Sequence, residues 1–380
     1  MKILHIISGL SMGGAEMMLY KLLSLTDRSQ FSPVVISLTD DGILGENIIN
    51  LDIPVYQIGL NSGIPNPFKI WQLRKLVREL NPELIQGWMY HGNLAALMVK
   101  KILTKRVSLL WNIRHTPGDL KKEKRLTAMM IRLGACFSHT PESIIYNARV
   151  SEQRHRQLGY SGKDITIIPN GFDCEQFKPT DVAKLKLLNL LNLRKDSLLI
   201  GLVARYHKMK GHKNFLFAVE KLIEAFPNIH FVLAGSGIDE KNIKLKKQIN
   251  HLKINKNIHL LGERRDIAEI TAGLDIACSS SVWGEGFSNA IGEAMACGVP
   301  CVVTDVGDSA WIVDKTGLVV KPGDKIELTD ALKEMIEMGA DMRKQLGKLA
   351  RQRIIKHFSL DKVVKKYEQI YREKSIARIL

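Results

Sequence analysis

The chain has 380 residues, is 45% hydrophobic and 6% aromatic, and sets 55 Lys and Arg against 39 Asp and Glu, a formal charge of +16. That length exceeds one ordinary core, so two globular domains are expected; no run approaches the roughly 18 apolar residues of a membrane span, and the five cysteines (136, 174, 278, 297, 301) show neither a disulfide framework nor metal-ligand spacing. MKILHIISGL reads as a first buried strand and not a signal peptide, which points to a soluble protein of a reduced, cytoplasmic interior.

Lys2 to Ile7 predicts a strand, followed by a loop with Gly13, Gly14 and Glu16 and an amphipathic helix to about Leu25. Such a loop cradles phosphate or simply turns tightly; it has neither the dinucleotide G-x-G-x-x-G nor a P-loop Lys-Ser/Thr pair. Strands are expected at Pro33 to Leu38, Val55 to Leu60, Glu83 to Trp88, Ser108 to Ile113 and Ala135 to His139, and helices at Phe68 to Leu80, Gly92 to Lys101 and Lys121 to Leu133. This alternation predicts a parallel sheet with helices on both faces. Tyr90-His91 and Arg114-His115-Thr116 follow two of the strands, at the carboxyl ends where ligands collect, although a lone histidine is more often a satisfied structural group than a catalyst.

Residues 1–175 are taken as the first domain and 176–196 as the connection. A second α/β alternation fills 197–357, with strands at Leu198 to Arg205, His230 to Gly235, Ile258 to Gly262, Asp275 to Ser279, Cys301 to Thr304 and Leu318 to Lys321. Its helices are expected at Lys213 to Ala225, Glu240 to Leu252 and Phe287 to Cys297, and 358–380 should hold a helix returning toward the first domain.

Val282 to Pro300 (VWGEGFSNAIGEAMACGVP) places Glu285 at the mouth of a helix and Glu293 inside it, eight positions on. At helical rise the two carboxylates stand about 12 Å apart along the axis, wider than the roughly 5 to 9.5 Å of glycoside-hydrolysing pairs, and suit two ends of one extended ligand. The helix N-terminus near Phe287, Ser288 and Asn289 is a seat for phosphate. Arg205 and Lys210 follow the first strand of the second half and suit a departing diphosphate, or form a surface basic loop. Gly235 in LAGSG and Gly262-Glu263-Arg264-Arg265 end two further strands, where a ligand or an ordinary turn would fit. One arrangement joins these signals: a cleft between two domains holding a sugar nucleotide, ribose at Glu293, diphosphate at the helix N-terminus with Arg205 and Lys210, and sugar near Glu285 and Gly13-Gly14.

EGFSNAIGEAMACGVPCVVTDVG resembles the E-x7-E segment of the retaining glycosyltransferases of family 4, and SGLSMGGAEMMLYKL, IIPNGFD, LVARYHKMKGHKNF, FVLAGSG, LLGERRDIAEI and HFSLDKVVKKYEQIYRE extend the resemblance along nearly the whole chain. It implies the GT-B arrangement of two Rossmann-like α/β domains facing across a cleft. It also implies that Arg205 and Lys210 neutralise the donor diphosphate, Glu285 contacts the transferred sugar, Glu293 holds the ribose, Gly14 lies against the donor and His115 lies near the sugar. Glu16, His91 and Arg114 fall on the acceptor side. Transfer would retain the anomeric configuration by front-side attack and need no metal or other cofactor. Where many relatives carry a Glu after the TDVGG-type turn, this chain has Trp311, which cannot act as an acid.

Lys100 to Arg132 holds ten basic residues (100, 101, 105, 106, 114, 121, 122, 124, 125, 132) against two acidic ones (119, 123). A solvated face competes there with binding to nucleic acid, phosphorylated ligands or an anionic membrane. No nucleic-acid reader module is recognisable. With the resemblance, the block suggests a glycan or lipid-linked acceptor of surface polysaccharide or lipopolysaccharide synthesis, met at the cytoplasmic face of the membrane, with a UDP-sugar as donor. A non-hydrolysing sugar-nucleotide epimerase of the same fold and a non-catalytic nucleotide-sugar-binding protein are the other readings.

Overall fold

The structure, a computed structural model, describes residues 1–60, 67–103, 106–121, 123–162 and 164–376. It divides into two compact units, Met1–Gly171 with Leu360–Leu380, and Phe172–Ser359.

The first unit is a seven-stranded parallel sheet in the order β3-β2-β1-β4-β5-β6-β7, made of β1 (Lys2–Ile7), β2 (Ser32–Ser37), β3 (Val55–Gln57), β4 (Leu84–Trp88), β5 (Ser108–Ile113), β6 (Ser143–Tyr146) and β7 (Ile165–Ile167). Its inner strands β2, β1, β4, β5 and β6 are buried almost throughout, as a sheet covered on both faces requires. On β1, Ile3 and Ile7 point to one layer, with Leu19 and Leu22 of the helix Gly14–Leu25. Leu4 and Ile6 point to the other, with Leu97 and Val99 of the helix Met89–Ile102.

The last helix, Leu360–Ile376, belongs to this unit and supplies Val363, Val364, Tyr367, Ile370 and Tyr371 to the first layer. Its polar groups are matched as well. Tyr367 Oη accepts from Asn112 Nδ2 and Arg114 Nη1, both at 2.8 Å, and Tyr371 Oη donates to Gln86 at 2.5 Å.

The second unit repeats the plan with β8 (Leu198–Val203), β9 (Ile229–Ala234), β10 (Ile258–Leu260), β11 (Ile276–Ser279), β12 (Cys301–Thr304) and β13 (Gly317–Val320), ordered β10-β9-β8-β11-β12-β13. All its pairs are parallel.

Three expectations are corrected. Ala135 to His139 is not a strand; it continues the helix Arg125–Phe137, whose buried residues Ala128, Ile131 and Gly134 recur at helical spacing, and the sixth strand is the four-residue β6. Residues 176–196 are not a bare connection, because the helix Ala183–Leu190 lies within the second unit and Lys184 Nζ pairs with Asp275 at 2.7 Å. The helix expected from Phe287 begins at Asn289, so Glu285 stands in a loop and helical rise does not measure its separation from Glu293. Among the described residues, no helix is long and apolar enough to cross a membrane.

Burial also sets how this fold responds to acid. His5 is buried, accepts a hydrogen bond from Trp88 Nε1 at 3.2 Å, and has its pKa lowered to about 3 by desolvation; His155, also buried, is lowered to about 4. Above about pH 6.5 both are neutral whether the chain is folded or unfolded. Below it the unfolded chain binds protons that the folded chain excludes, so stability falls with pH by about 1.4 kcal/mol per unit for each histidine. The urea midpoint of the first unit is therefore expected to be flat from about pH 8 to 7 and to drop between about pH 6.5 and 4.5. A midpoint unchanged over that range would mean that these imidazoles are solvated.

Candidate active site

Two loops that follow neighbouring strands of the second unit are bound together. β8 runs into Arg205 and then a short 3-10 turn, Lys208–Lys210; β11 runs into Ser280 to Gly286. Val282 N donates to Met209 O at 2.7 Å and Ser280 Oγ to Lys210 O at 2.8 Å. Gly211, at φ +65, presses so close that a Cβ there would stand 1.9 Å from Ser280 O. No other residue fits that backbone and that space.

The product of this contact is an ion pair. Lys210 Nζ lies 2.5 Å from Glu285 Oε1, and Ser281 Oγ donates to the same oxygen at 2.6 Å. Glu285 is buried and Lys210 only slightly exposed, so each charge depends on the other. β12 braces the loop, since Thr304 Oγ1 donates to Ser281 O at 2.6 Å and Asp308 N to Gly286 O at 2.9 Å. Ser281 and Thr304 were not among the expected site residues, although the rule that ligands gather at strand ends points to both.

Beyond Glu285 the helix Asn289–Ala296 starts without a side-chain cap from Ser288, its N-cap residue. Its backbone approaches Phe172 so closely that a Cβ on Gly292 would lie 1.9 Å from that ring. The Phe287 side chain is buried among aromatics, stacked on Phe172 at 5.9 Å and set edge-on to Trp311 at 5.9 Å. The Phe287 ring therefore anchors the helix entry. Trp311 completes the cluster against Phe358, an apolar role in place of the acid that the resemblance led one to expect. Glu293 is half-buried on the helix.

The remaining expected donor residues separate by role. Arg205 is exposed, with Nη2 3.9 Å from Met209 Sδ, and does not join the Lys210–Glu285 pair. Gly235 (φ +142) and Gly262 (φ +68) hold the ends of β9 and β10 together through a 2.7 Å bond from Gly235 N to Gly262 O. Arg264 binds Asp266 through two hydrogen bonds, at 2.8 and 2.6 Å, just ahead of the helix Ile267–Ala272.

In the first unit Gly13 caps the helix Gly14–Leu25, and a Cβ on Gly14 would meet open space. The Glu16 carboxylate folds back against Gly13 at the start of this helix, and burial raises its pKa. The anion seat expected at this glycine loop is thus filled by the chain's own acid. Arg114 is committed internally: it binds Tyr367, contacts Asn170, and lies 6.0 Å from the Trp88 ring. His91 is half-buried and its pKa is lowered by that burial. His115 Nδ1 lies 3.1 Å from Tyr90 Oη, and its Nε2 lies 3.7 Å from Glu123.

Two parallel-sheet, Rossmann-like units in one chain, with loops gathered at strand ends, define the GT-B class of α/β proteins. The fold is shared with Anabaena Alr3699/HepE, solved in complex with UDP, at a TM-score of 0.85 and 22% identity over 98% of this chain and all of that one. The sequence profile described as Glycosyl transferases group 1 matches residues 186–353, and that described as Glycosyltransferase Family 4 matches 12–176. The chain belongs to this group 1, family 4 set of glycosyltransferases. It is 25% identical over 253 residues to an uncharacterized glycosyltransferase of Methanocaldococcus jannaschii. It is also 29% identical over 221 residues to the UDP-Gal:alpha-D-GlcNAc-diphosphoundecaprenol alpha-1,3-galactosyltransferase of Escherichia coli. Those matches span 63% and 57% of this chain and 60% and 56% of the relatives, less than two-thirds of their length.

The junction of the two loops predicts its own sensitivity. Gly211→Ala forces a Cβ onto a carbonyl oxygen at positive φ and is expected to cost at least about 2 kcal/mol. Thermal unfolding checks this, and a Tm within a degree or so of wild type would show that the loop yields.

Proposed function

We propose that the chain is a retaining glycosyltransferase that moves a sugar from a nucleotide-sugar donor, a UDP-sugar first, to a glycan or lipid-linked acceptor of cell-surface polysaccharide or lipopolysaccharide synthesis, without a metal ion or other cofactor. The observation that carries this reading is the Lys210–Glu285 pair at the mouth of the helix Asn289–Ala296, in a chain of this family. The UDP in the Anabaena structure and the UDP-Gal in the name of the E. coli relative support the choice of nucleotide.

A bond forms between an acceptor oxygen and the anomeric carbon on the face the diphosphate leaves, the bond to the phosphate oxygen breaks, and that oxygen takes the acceptor proton. Charge grows on the leaving diphosphate, where Arg205 and Lys210 meet it; cations aimed at developing charge do what a metal would. As Lys210 turns to phosphate, Glu285 is released to accept a hydroxyl of the transferred sugar. Glu293 accepts the ribose hydroxyls. Within the second unit, Gly235, Gly262, Arg264 and the entry of the helix at Phe287, Ser288 and Asn289 complete the donor contacts. Lys210→Ala is expected to lower kcat by roughly a hundredfold or more, while Glu293→Ala weakens UDP binding by about tenfold. Calorimetry and a radiolabelled-transfer assay separate the two, and EDTA should leave the rate unchanged. Wild-type turnover by Lys210→Ala would end the leaving-group role.

The acceptor is met at an anionic membrane surface. On the helix Arg125–Phe137, Leu126, Met129 and Leu133 are 52%, 53% and 42% exposed and fall on one face at spacings of three and four, beside exposed Arg125 and Arg132. Apolar side chains bordered by cations suit a bilayer interface with acidic headgroups. Within the basic block, Lys100 is spent on Glu142 at 2.7 Å, Arg114 is internal, and Lys105 and Lys122 lie outside the described residues. Leu126→Ser with Met129→Ser should reduce co-sedimentation with anionic liposomes at least several-fold and leave transfer to a soluble acceptor analogue intact. Equal binding to neutral and anionic vesicles at low salt would refute the membrane role.

A further inference from the structure

Three side chains of the first unit run in series, and the protons along them have one consistent placement. His155 Nδ1 lies 2.7 Å from Ser151 O, a carbonyl that only accepts, so Nδ1 carries a proton. Burial lowers the His155 pKa to about 4, so the ring is neutral and its Nε2 is a bare acceptor. Tyr90 Oη, 3.0 Å from that Nε2, must donate to it. The Tyr90 oxygen then offers only lone pairs to His115 Nδ1, 3.1 Å away, so His115 Nδ1 must be the donor. Burial also lowers the His115 pKa against the opposing pull of Glu123, which leaves the ring neutral. The backbone of His115 is tied to the same place, because Ser151 Oγ donates to His115 O at 2.7 Å.

We infer that Tyr90 and His155 are positioning residues that fix His115 in its Nδ1–H tautomer and so present Nε2 as a hydrogen-bond acceptor to a substrate hydroxyl. Which nitrogen of an imidazole is free is set by the bond the other makes. Here that bond is set two side chains back, by a backbone carbonyl within the helix Arg149–Gln157. A sugar hydroxyl can donate to Nε2, whereas a carbonyl or ether oxygen cannot. This deepens the proposed transferase reading and rests on it for the identity of the hydroxyl. The tautomer itself does not depend on that reading.

The test uses the full-length chain with 15N-labelled histidine at about pH 7.5. Two-bond nitrogen–proton correlations should show His115 with Nδ1 protonated and Nε2 bare. Tyr90→Phe removes the acceptor and should move His115 toward the Nε2–H form, with kcat/KM lowered roughly five- to tenfold, about the worth of one hydrogen bond. His155→Gln can still take the Tyr90 proton on its amide oxygen and should keep the wild-type tautomer and kcat/KM. His155→Leu cannot, and should behave as Tyr90→Phe does. A purely structural role would alter Tm in these variants without this pattern of tautomer and rescue. A protonated Nε2 in the wild type, or an unchanged tautomer in Tyr90→Phe, would overturn the inference. If the wild type turns over no nucleotide sugar, the NMR result still decides the tautomer, so the two readings fail separately.

Discussion

The second unit depends on one contact: the Lys210 ammonium against the buried Glu285 carboxylate, with Ser281 on the same oxygen. Burying a charge is costly unless it is paired and hydrogen-bonded, and here the Glu285 carboxylate has both a cation and a hydroxyl donor. The backbone on either side is arranged to hold the pair. Gly211 lets one loop press on Ser280, and Thr304 fixes Ser281 from the next strand. The frame around the pair is thus fixed by backbone packing and by hydrogen bonds from two neighbouring strand ends.

The first unit solves a different problem, how to find partners for polar groups buried in its sheet. The last helix supplies much of the answer: Tyr367 takes Asn112 and Arg114, Tyr371 takes Gln86, and Glu368 Oε1 accepts from Asp27 N at 2.8 Å. Each satisfied pair removes a desolvation penalty of roughly 1 to 3 kcal/mol. Arg114, anchored by Tyr367, immediately precedes His115. The terminal helix therefore steadies the start of the loop that carries His115, while Tyr90 and Ser151 hold its ring and its carbonyl.

Much of this was legible in the chain. Strands such as Ser108–Ile113 and Cys301–Thr304 read correctly because uninterrupted apolar runs bounded by polar residues have few other homes. Strands as short as Cys301–Thr304 registered where a Pro or Gly marked a boundary, and two other short elements did not register. The strand Ser143–Tyr146 has four residues and the helix Ile267–Ala272 six, too few for a period to register. The run from Ala135 misled because apolar residues at the end of a helix look like a strand when a glycine, Gly134, stands just before them.

The candidate site divides along the same line. Glu285, Glu293, Arg205 and Lys210 stand out as candidates by residue type, spacing and position at strand ends. Their partnerships do not: that Lys210 meets Glu285 while Arg205 stays exposed, and that Glu16 fills the seat its glycine loop offered. Nor did the chain mark Tyr90 and His155 as neighbours of His115, since 65 residues separate the first two and no periodicity links them. Sequence by itself determined the two α/β alternations, the family and the residues able to carry charge, because apolar pattern and residue chemistry are local properties. Tertiary structure alone decided which charges are paired, which are buried and which nitrogen is free, because hydrogen-bond geometry and desolvation arise only when distant segments pack.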